Sequence, residues 1–62
     1  MKLVIIDFIT KEPLYKWIKS DVIPYDGDTF VIDEKSFIVI ESVRYYGDSE
    51  VPNFVELYVT KA

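Results

Sequence analysis

The sequence contains neither cysteine nor histidine, and this double absence removes several kinds of chemistry at once. Without thiols the chain cannot form a disulfide, and without thiolates or imidazoles it lacks the ligands that zinc sites use. No histidine is present to activate a hydroxyl side chain as a nucleophile. With only two glycines, the chain also has no glycine-rich loop to hold phosphate groups. We therefore expect a protein that is not an enzyme and that binds no metal or cofactor.

Basic residues are scarce as well. Seven lysines and arginines stand against eleven acidic residues, so the formal net charge is −4. Phosphate backbones are bound by clusters of basic side chains, so duplex nucleic acid is an unfavourable partner. The apolar opening run, residues 1–9, is too short to cross a bilayer and is followed by no cleavage site. The sequence favours a cytoplasmic protein with no membrane partner.

The residues that are abundant indicate β-structure. The chain has 62 residues, which is room for one domain over 1–62 with one hydrophobic core. Half of the residues are hydrophobic, and among them isoleucine and valine supply eight each and the aromatic residues supply ten. β-Branched and aromatic side chains fit the pleated surface of a sheet, so we predict an all-β domain.

Turn residues divide the chain into short segments. The clearest turn is IPYDGD at residues 23–28, where Pro24 restricts its own backbone and Gly27 is free to adopt a positive φ. Short strands with turns this frequent favour a small barrel at this chain length. The five predicted strands span residues 2–10, 14–19, 29–33, 36–46 and 53–60.

Residues 13–19 leave two conformations open. Pro13 suits the first position of a short helical turn, with Leu14 and Trp17 on its buried side. The same residues also alternate in the manner of a returning strand. The strand is favoured, because a segment this short forms a poor helix without support.

The long fourth strand has a break in its alternation. Phe37 and Val39 point to one face, yet Glu41 falls on that same face. A β-bulge near Glu41 and Ser42 would release the carboxylate to solvent and bend the strand, as a small barrel requires.

A loose pattern runs through residues 23–59: a proline and a Gly-Asp pair, a strand ending in Ile-Asp, an aromatic-x-Val strand and a final Leu-Tyr-Val. This pattern resembles that of small bacterial and phage-encoded β-barrel proteins. The resemblance implies a Src-homology-3-like barrel, and it transfers no catalytic residue, because such proteins have no established common function. The matching residues are Pro24, Gly27-Asp28, Ile32-Asp33, Phe37-x-Val39 and Leu57-Tyr58-Val59.

Several aromatic residues and one arginine lie in or beside the predicted loops. Tyrosine, tryptophan and arginine anchor many protein interfaces and also stack on nucleobases. The alternative is that the tryptophan and one tyrosine simply fill the ends of the barrel. The candidate binding residues are Tyr15, Trp17, Tyr25, Arg44, Tyr45 and Tyr46.

Three segments, residues 3–6, 30–32 and 37–40, are apolar without interruption, whereas a strand with one wet face alternates. Burying one large side chain contributes about 1.5–3 kcal/mol, so a second apolar face favours association. We predict self-association, as a dimer or higher, and a binding function by protein–protein contact, in a small accessory or counter-defence protein of a phage or mobile element. A competing account is that coiled strands bury these residues within one chain. The alternative function is small-ligand binding, for example of a nucleotide, at an oligomer interface lined by Trp17, Tyr25, Arg44 and Tyr46.

Overall fold

The computed structural model covers residues 1–62 and contains five β-strands and no helix. Both the all-β class and the number of strands are confirmed. Nothing in the chain forms a helix with the length and apolarity that crossing a membrane requires. The strands are β1 (Lys2–Asp7), β2 (Pro13–Lys19), β3 (Thr29–Ile32), β4 (Lys35–Tyr46) and β5 (Pro52–Lys61).

All five strands belong to one sheet in the order β2-β1-β5-β4-β3. β1 and β5 are parallel, whereas the other neighbouring pairs are antiparallel. The sheet curls into a half-barrel, so that Tyr15 of β2 meets Phe37 of β4 across the concave side, with ring centroids 6.3 Å apart. This architecture is consistent with a small Src-homology-3-like barrel. The outer edges of β2 and β3 have no strand beside them.

The segment 20–28 carries the chain from β2 at one edge to β3 at the other. Its Ile23 side chain packs against the core. At its end the Gly27 N–H donates to the Val39 carbonyl at 2.8 Å, and the Val39 N–H donates to the Asp28 carbonyl at 2.9 Å. Gly27 has a φ of 89°, which only glycine adopts without steric cost, so the predicted turn is formed as its composition indicates.

The first strand ends earlier than predicted, at Asp7 rather than at residue 10. The Asp7 carboxylate accepts hydrogen bonds from the N–H groups of Ile9 at 2.8 Å and Thr10 at 3.0 Å. These local bonds give the backbone an alternative to the sheet and turn it. They also lower the pKa of Asp7, with Thr10 the larger cause and Ile9 the next. The Ile9 side chain is consequently 79% exposed.

Residues 13–19 form a strand, so the helical alternative for this segment is wrong. Pairing with β1 supplies the support that an isolated short segment lacks. β3 and β4 form a hairpin, and its turn contains Asp33 and Glu34, with φ values of 50° and 64°. A two-residue turn with positive φ at both central residues has a twist that matches that of the flanking strands.

The predicted bulge in β4 is present, one residue earlier than expected. The register with β5 shifts between Val39 and Glu41, so Ile40 is the extra residue. As a result Glu41 points to solvent, while Ser42 takes the position opposite Leu57. The shift also moves Val43 and Tyr45 to the face opposite to that of Phe37 and Val39, and it places Ser42 and Arg44 on the concave face.

The core lies on the concave face of the sheet. Strand alternation separates β1 into two sets, because Val4 and Ile6 are also buried but lie on the opposite, outer face. The apolar run 3–6 is therefore buried within one chain, as the competing account expects, whereas Val31 and Ile40 remain exposed. The seven core residues are Leu3, Ile5, Phe37, Val39, Val55, Leu57 and Val59.

Candidate functional site

The structure separates the six candidate residues rather than gathering them into one site. Strand parity places Trp17 and Tyr45 on the outer face, on which β5 places Phe54. Tyr25 and Arg44 lie together on the concave side. Tyr15 packs on the core from the edge strand β2, and Tyr46 is exposed at the end of β4.

Three rings form a continuous row on the outer face, which we call the outer aromatic row: Trp17, Phe54 and Tyr45. Phe54 stacks on Tyr45 with centroids 4.4 Å apart and planes at 12°. Trp17 meets Phe54 edge-on, with centroids 5.6 Å apart and planes at 75°. Both geometries are favourable for aromatic pairs. The row therefore runs from β2 across β5 to β4, and its side chains link β2 to β5, two strands that do not pair with each other.

Phe54 holds this row together, and sequence reasoning missed it. It lies within the predicted strand 53–60, whereas the six candidate binding residues lie in or beside predicted loops. The signal that could have found it is the pairing of the last two strands, because Phe54 lies directly opposite Tyr45 in the antiparallel register. Directly opposed side chains on one face of a sheet are within contact distance.

The backbone at Trp17 places its ring on the outer face. The register between β1 and β2 shifts between Leu3 and Ile5, and within this irregularity Trp17 has a φ of 60°. A bulky residue in the left-handed region is uncommon and costs roughly 1–2 kcal/mol. The left-handed residue coincides with the register shift, and a β-bulge of this kind changes the direction in which a side chain points.

This conformation predicts an inverted order of stability for two substitutions. Trp17→Gly is expected to be more stable than Trp17→Ala by about 1 kcal/mol, because both lose the ring but only alanine has a Cβ that clashes at positive φ. Urea denaturation of the two variants measures the difference. At neighbouring Lys16, where φ is not positive, the alanine variant should be the more stable one. Greater stability of alanine at both positions would contradict the left-handed backbone at Trp17.

Glu56 links two tyrosines on the same outer face. Its Oε1 atom accepts hydrogen bonds from the Tyr45 hydroxyl at 2.5 Å and from the Tyr58 hydroxyl at 3.2 Å. The bond to Glu56 raises the pKa of Tyr45, and burial followed by the charge of Glu56 raises the pKa of Tyr58. The raised pKa values favour the protonated phenols that donate these hydrogen bonds, and Glu56 restrains the ring of Tyr45 beside Phe54.

Lysines border the aromatic surface at two places. The Lys11 ammonium lies 4.2 Å from the ring centroid of Phe8 and 5.1 Å from that of Tyr58. The Lys2 ammonium lies 6.0 Å from the centroid of Trp17. These are cation–π distances. The outer face thus combines exposed rings with cations at its border and acidic groups, Glu41 and Glu56, between them.

Arg44 makes a separate cluster on the concave side. Its guanidinium carbon lies 4.7 Å from the ring centroid of Tyr25, and Nη1 donates to the Ser42 hydroxyl at 3.2 Å. That hydroxyl donates in turn to Asp26 Oδ1 at 3.0 Å. Nη2 is buried and has no hydrogen-bond partner. The hydrogen bond to Ser42 and the ring contact hold the guanidinium beside Tyr25, whose side chain is 64% exposed.

In comparisons with known proteins, no protein family, no curated protein and no solved structure matches this chain. The acidic residues form no group of three that could hold a metal ion. The fold and this surface define a five-stranded all-β domain with an exposed aromatic outer face.

Proposed function

We propose that this chain is a non-enzymatic binding module that acts by protein–protein contact through the outer aromatic row. The observation that carries the proposal is the exposure of large rings on a face that does not contain the core: Trp17 is 55% exposed and Tyr45 is 40% exposed. A solvated sheet face would present polar side chains at such positions. Contiguous apolar surface on a folded domain marks interaction sites.

The arrangement of the rings favours a role in recognition over incidental exposure of apolar side chains. Phe54 contacts both Trp17 and Tyr45, and Glu56 holds the Tyr45 hydroxyl. Side chains that are already restrained lose less conformational entropy when a partner binds. Tryptophan and tyrosine at the centre of a surface are the residues that most often dominate the free energy of binding.

The same face suits a second copy of the chain, and we include self-association in the proposal. A two-fold interface places one patch against itself, so charges of both signs on that patch can pair between copies. Lys2 and Lys11 lie at the border of the outer face, and Glu41 and Glu56 lie on it. A two-fold arrangement would bring lysines of one copy towards acids of the other and bury the rings between them.

Sedimentation equilibrium tests self-association directly. Across concentrations from about 1 µM to about 1 mM, which report association free energies of about −8 to −4 kcal/mol, the mean mass should rise from that of one chain to at least twice that value. High salt should weaken the association only modestly, because ring burial is the main contribution. A single chain mass over the whole range would contradict self-association through this face.

We further propose a cytoplasmic location and a role as an accessory or counter-defence protein of a phage or other mobile element. The support is the small size, the net charge of −4 and the resemblance over residues 23–59.

The second candidate function is nucleotide binding, and the stacking of Arg44 on Tyr25 favours it, because arginine and tyrosine both stack on bases. Trp17 and Arg44 lie on opposite faces of the sheet, since Arg44 pairs with core residue Val55 and Trp17 contacts outer residue Phe54. A site containing both would therefore need two copies. A change in Trp17 fluorescence on adding nucleotides would favour this candidate over the first.

A further inference from the structure

A cleft of about 340 Å³ opens at the end of the half-barrel remote from Arg44. It lies where the ends of β1 and β5 meet the beginnings of β2 and β4. It shares no lining residue with the outer aromatic row. Volumes of this size lie at the lower end of the range for small-ligand sites.

The inner wall of the cleft is apolar. Leu14, Phe37 and Val59 line it, and Tyr15 contributes its ring, edge-on to Phe37. Phe37 and Val59 are core residues, so they are held rigidly by the rest of the sheet. Phe37 and Val59 are 3% and 0% exposed and form the floor of the cleft. The apolar surface that a ligand could contact comes from Leu14, which is 42% exposed, and from the half-buried Tyr15.

Two lysines stand at the mouth of this apolar wall. Strand alternation places Lys35 on the concave face two residues before Phe37, and places Lys61 on the same face two residues after Val59. Lys61 is also the cross-strand partner of Phe37. Both lysines are exposed, and neither ammonium group donates a hydrogen bond within the chain. Two of only seven basic residues in an acidic chain thus converge on one cleft.

Asp7 is the one acidic residue of the lining. Its Oδ1 atom is occupied by the N–H groups of Ile9 and Thr10, which hold the carboxylate in the turn after β1. Two ammonium groups and one carboxylate leave a net charge of one positive unit at the mouth. This balance suits a singly charged anion better than a phosphate with two charges.

We propose that this cleft binds a ligand in which a carboxylate is joined to an apolar group, with the carboxylate at Lys35 and Lys61 and the apolar group against Leu14 and Tyr15. The ligand chemistry is shared by two sources, a free small organic acid and the carboxyl terminus of a peptide that ends in an apolar residue. The proposal does not depend on the function proposed for the outer aromatic row.

A titration with hydrocinnamate, followed by amide chemical shifts of the labelled chain, tests the proposal. We expect saturable shifts centred on Tyr15, Phe37 and Thr60, with a dissociation constant of about 1 mM for a ligand of this size. The neutral amide of the same acid should bind at least about tenfold more weakly, because it lacks the charge that the lysines attract. Absence of saturable shifts at the cleft, or equal binding of acid and amide, would overturn the proposal.

Two double variants distinguish binding at the cleft lysines from general attraction by the net charge of the chain. Lys35→Ala with Lys61→Ala should weaken hydrocinnamate binding at least about tenfold, whereas Lys16→Ala with Lys19→Ala removes the same charge from β2 outside the cleft and should change it less than about twofold. Equal losses in the two variants would show nonspecific attraction and overturn the site. Trp17→Lys should leave the titration unchanged, so failure at the outer face and failure at the cleft are distinguishable.

A short peptide ending in phenylalanine decides between the two sources. Binding at least about tenfold tighter than that of hydrocinnamate, and lost on amidation of the carboxyl terminus, would assign the cleft to peptide ends. Binding no tighter than that of hydrocinnamate would assign it to free acids. Both results support the proposed chemistry, whereas peptide binding that survives amidation would contradict it.

Discussion

Replacing Leu57 with alanine is expected to remove a large part of the free energy of unfolding and to lower the urea concentration at which the chain unfolds. Leu57 has no exposed surface and lies in the central strand β5, between Ile5 of β1 and Ser42 of β4. Truncation of a buried leucine costs about 2–5 kcal/mol. At about 0.05–0.15 kcal/mol per residue, a chain of this length has a total stability of about 3–9 kcal/mol. Urea denaturation followed by circular dichroism measures the loss.

Leu14→Ala is the matched control for this substitution. Leu14 is 42% exposed in the edge strand β2, so the same change removes fewer buried contacts and should cost about 1 kcal/mol. The comparison holds the chemistry constant and varies only the burial. Equal destabilisation by the two substitutions would contradict the difference in burial between Leu57 and Leu14.

Replacing Trp17 with lysine is expected to weaken self-association at least about 100-fold, which corresponds to about 2.7 kcal/mol. An aromatic anchor at the centre of an interface contributes about this much, and a lysine there would place an unpaired charge in the contact. Trp17 is half exposed, so the monomer itself should keep its fold. The dimerisation constant is measured by sedimentation equilibrium as for the unmodified chain.

Ile9→Lys provides the control for charge and for loss of an exposed apolar residue. Ile9 lies in the turn after β1 and is 79% exposed, but it does not belong to the outer aromatic row. This variant should associate as the unmodified chain does. Undiminished association of Trp17→Lys, with a native circular dichroism spectrum, would show that the contact surface lies elsewhere.

The two substitutions address opposite faces of one sheet. The concave face contains the core cluster, whereas the outer face carries the buried Val4 and Ile6 together with the outer aromatic row. In the parallel register Val4 lies beside Glu56 and Ile6 beside Tyr58. The outer face therefore contains both buried aliphatic residues and partly exposed rings. A domain this small can in this way stabilise itself and present an apolar surface with the same strands.

Features that depend on neighbouring residues could be predicted from the sequence. Alternation and β-branched composition indicated the strands, Gly27 indicated the turn before β3, and the misplaced Glu41 indicated the bulge in β4. The end of β1 was placed too late, because the apolar pattern continues through Ile9 while the Asp7 side chain turns the backbone. A local apolar pattern does not report a competing local hydrogen bond.

The candidate site was predictable in its residue types but not in its grouping. Tyrosines, Trp17 and Arg44 were selected for their chemistry, yet Arg44 and Tyr45 are adjacent in sequence and point to opposite faces. Phe54 could not be selected in this way, because its role depends on stacking with Tyr45 of the neighbouring strand β4. Which side chains meet depends on strand pairing, and pairing joins residues that are far apart in the chain.

The amino-acid sequence alone established that this protein lacks thiol and imidazole groups. Its turn residues and β-branched side chains also established that it forms short strands. The parallel pairing of β1 with β5, the crossing of residues 20–28 between the two sheet edges, the outer aromatic row and the cleft with Lys35 and Lys61 were decided only in three dimensions. The physical reason is that backbone conformation is governed by neighbours in sequence. Contact between strands is governed by how the whole chain hides its apolar surface from water.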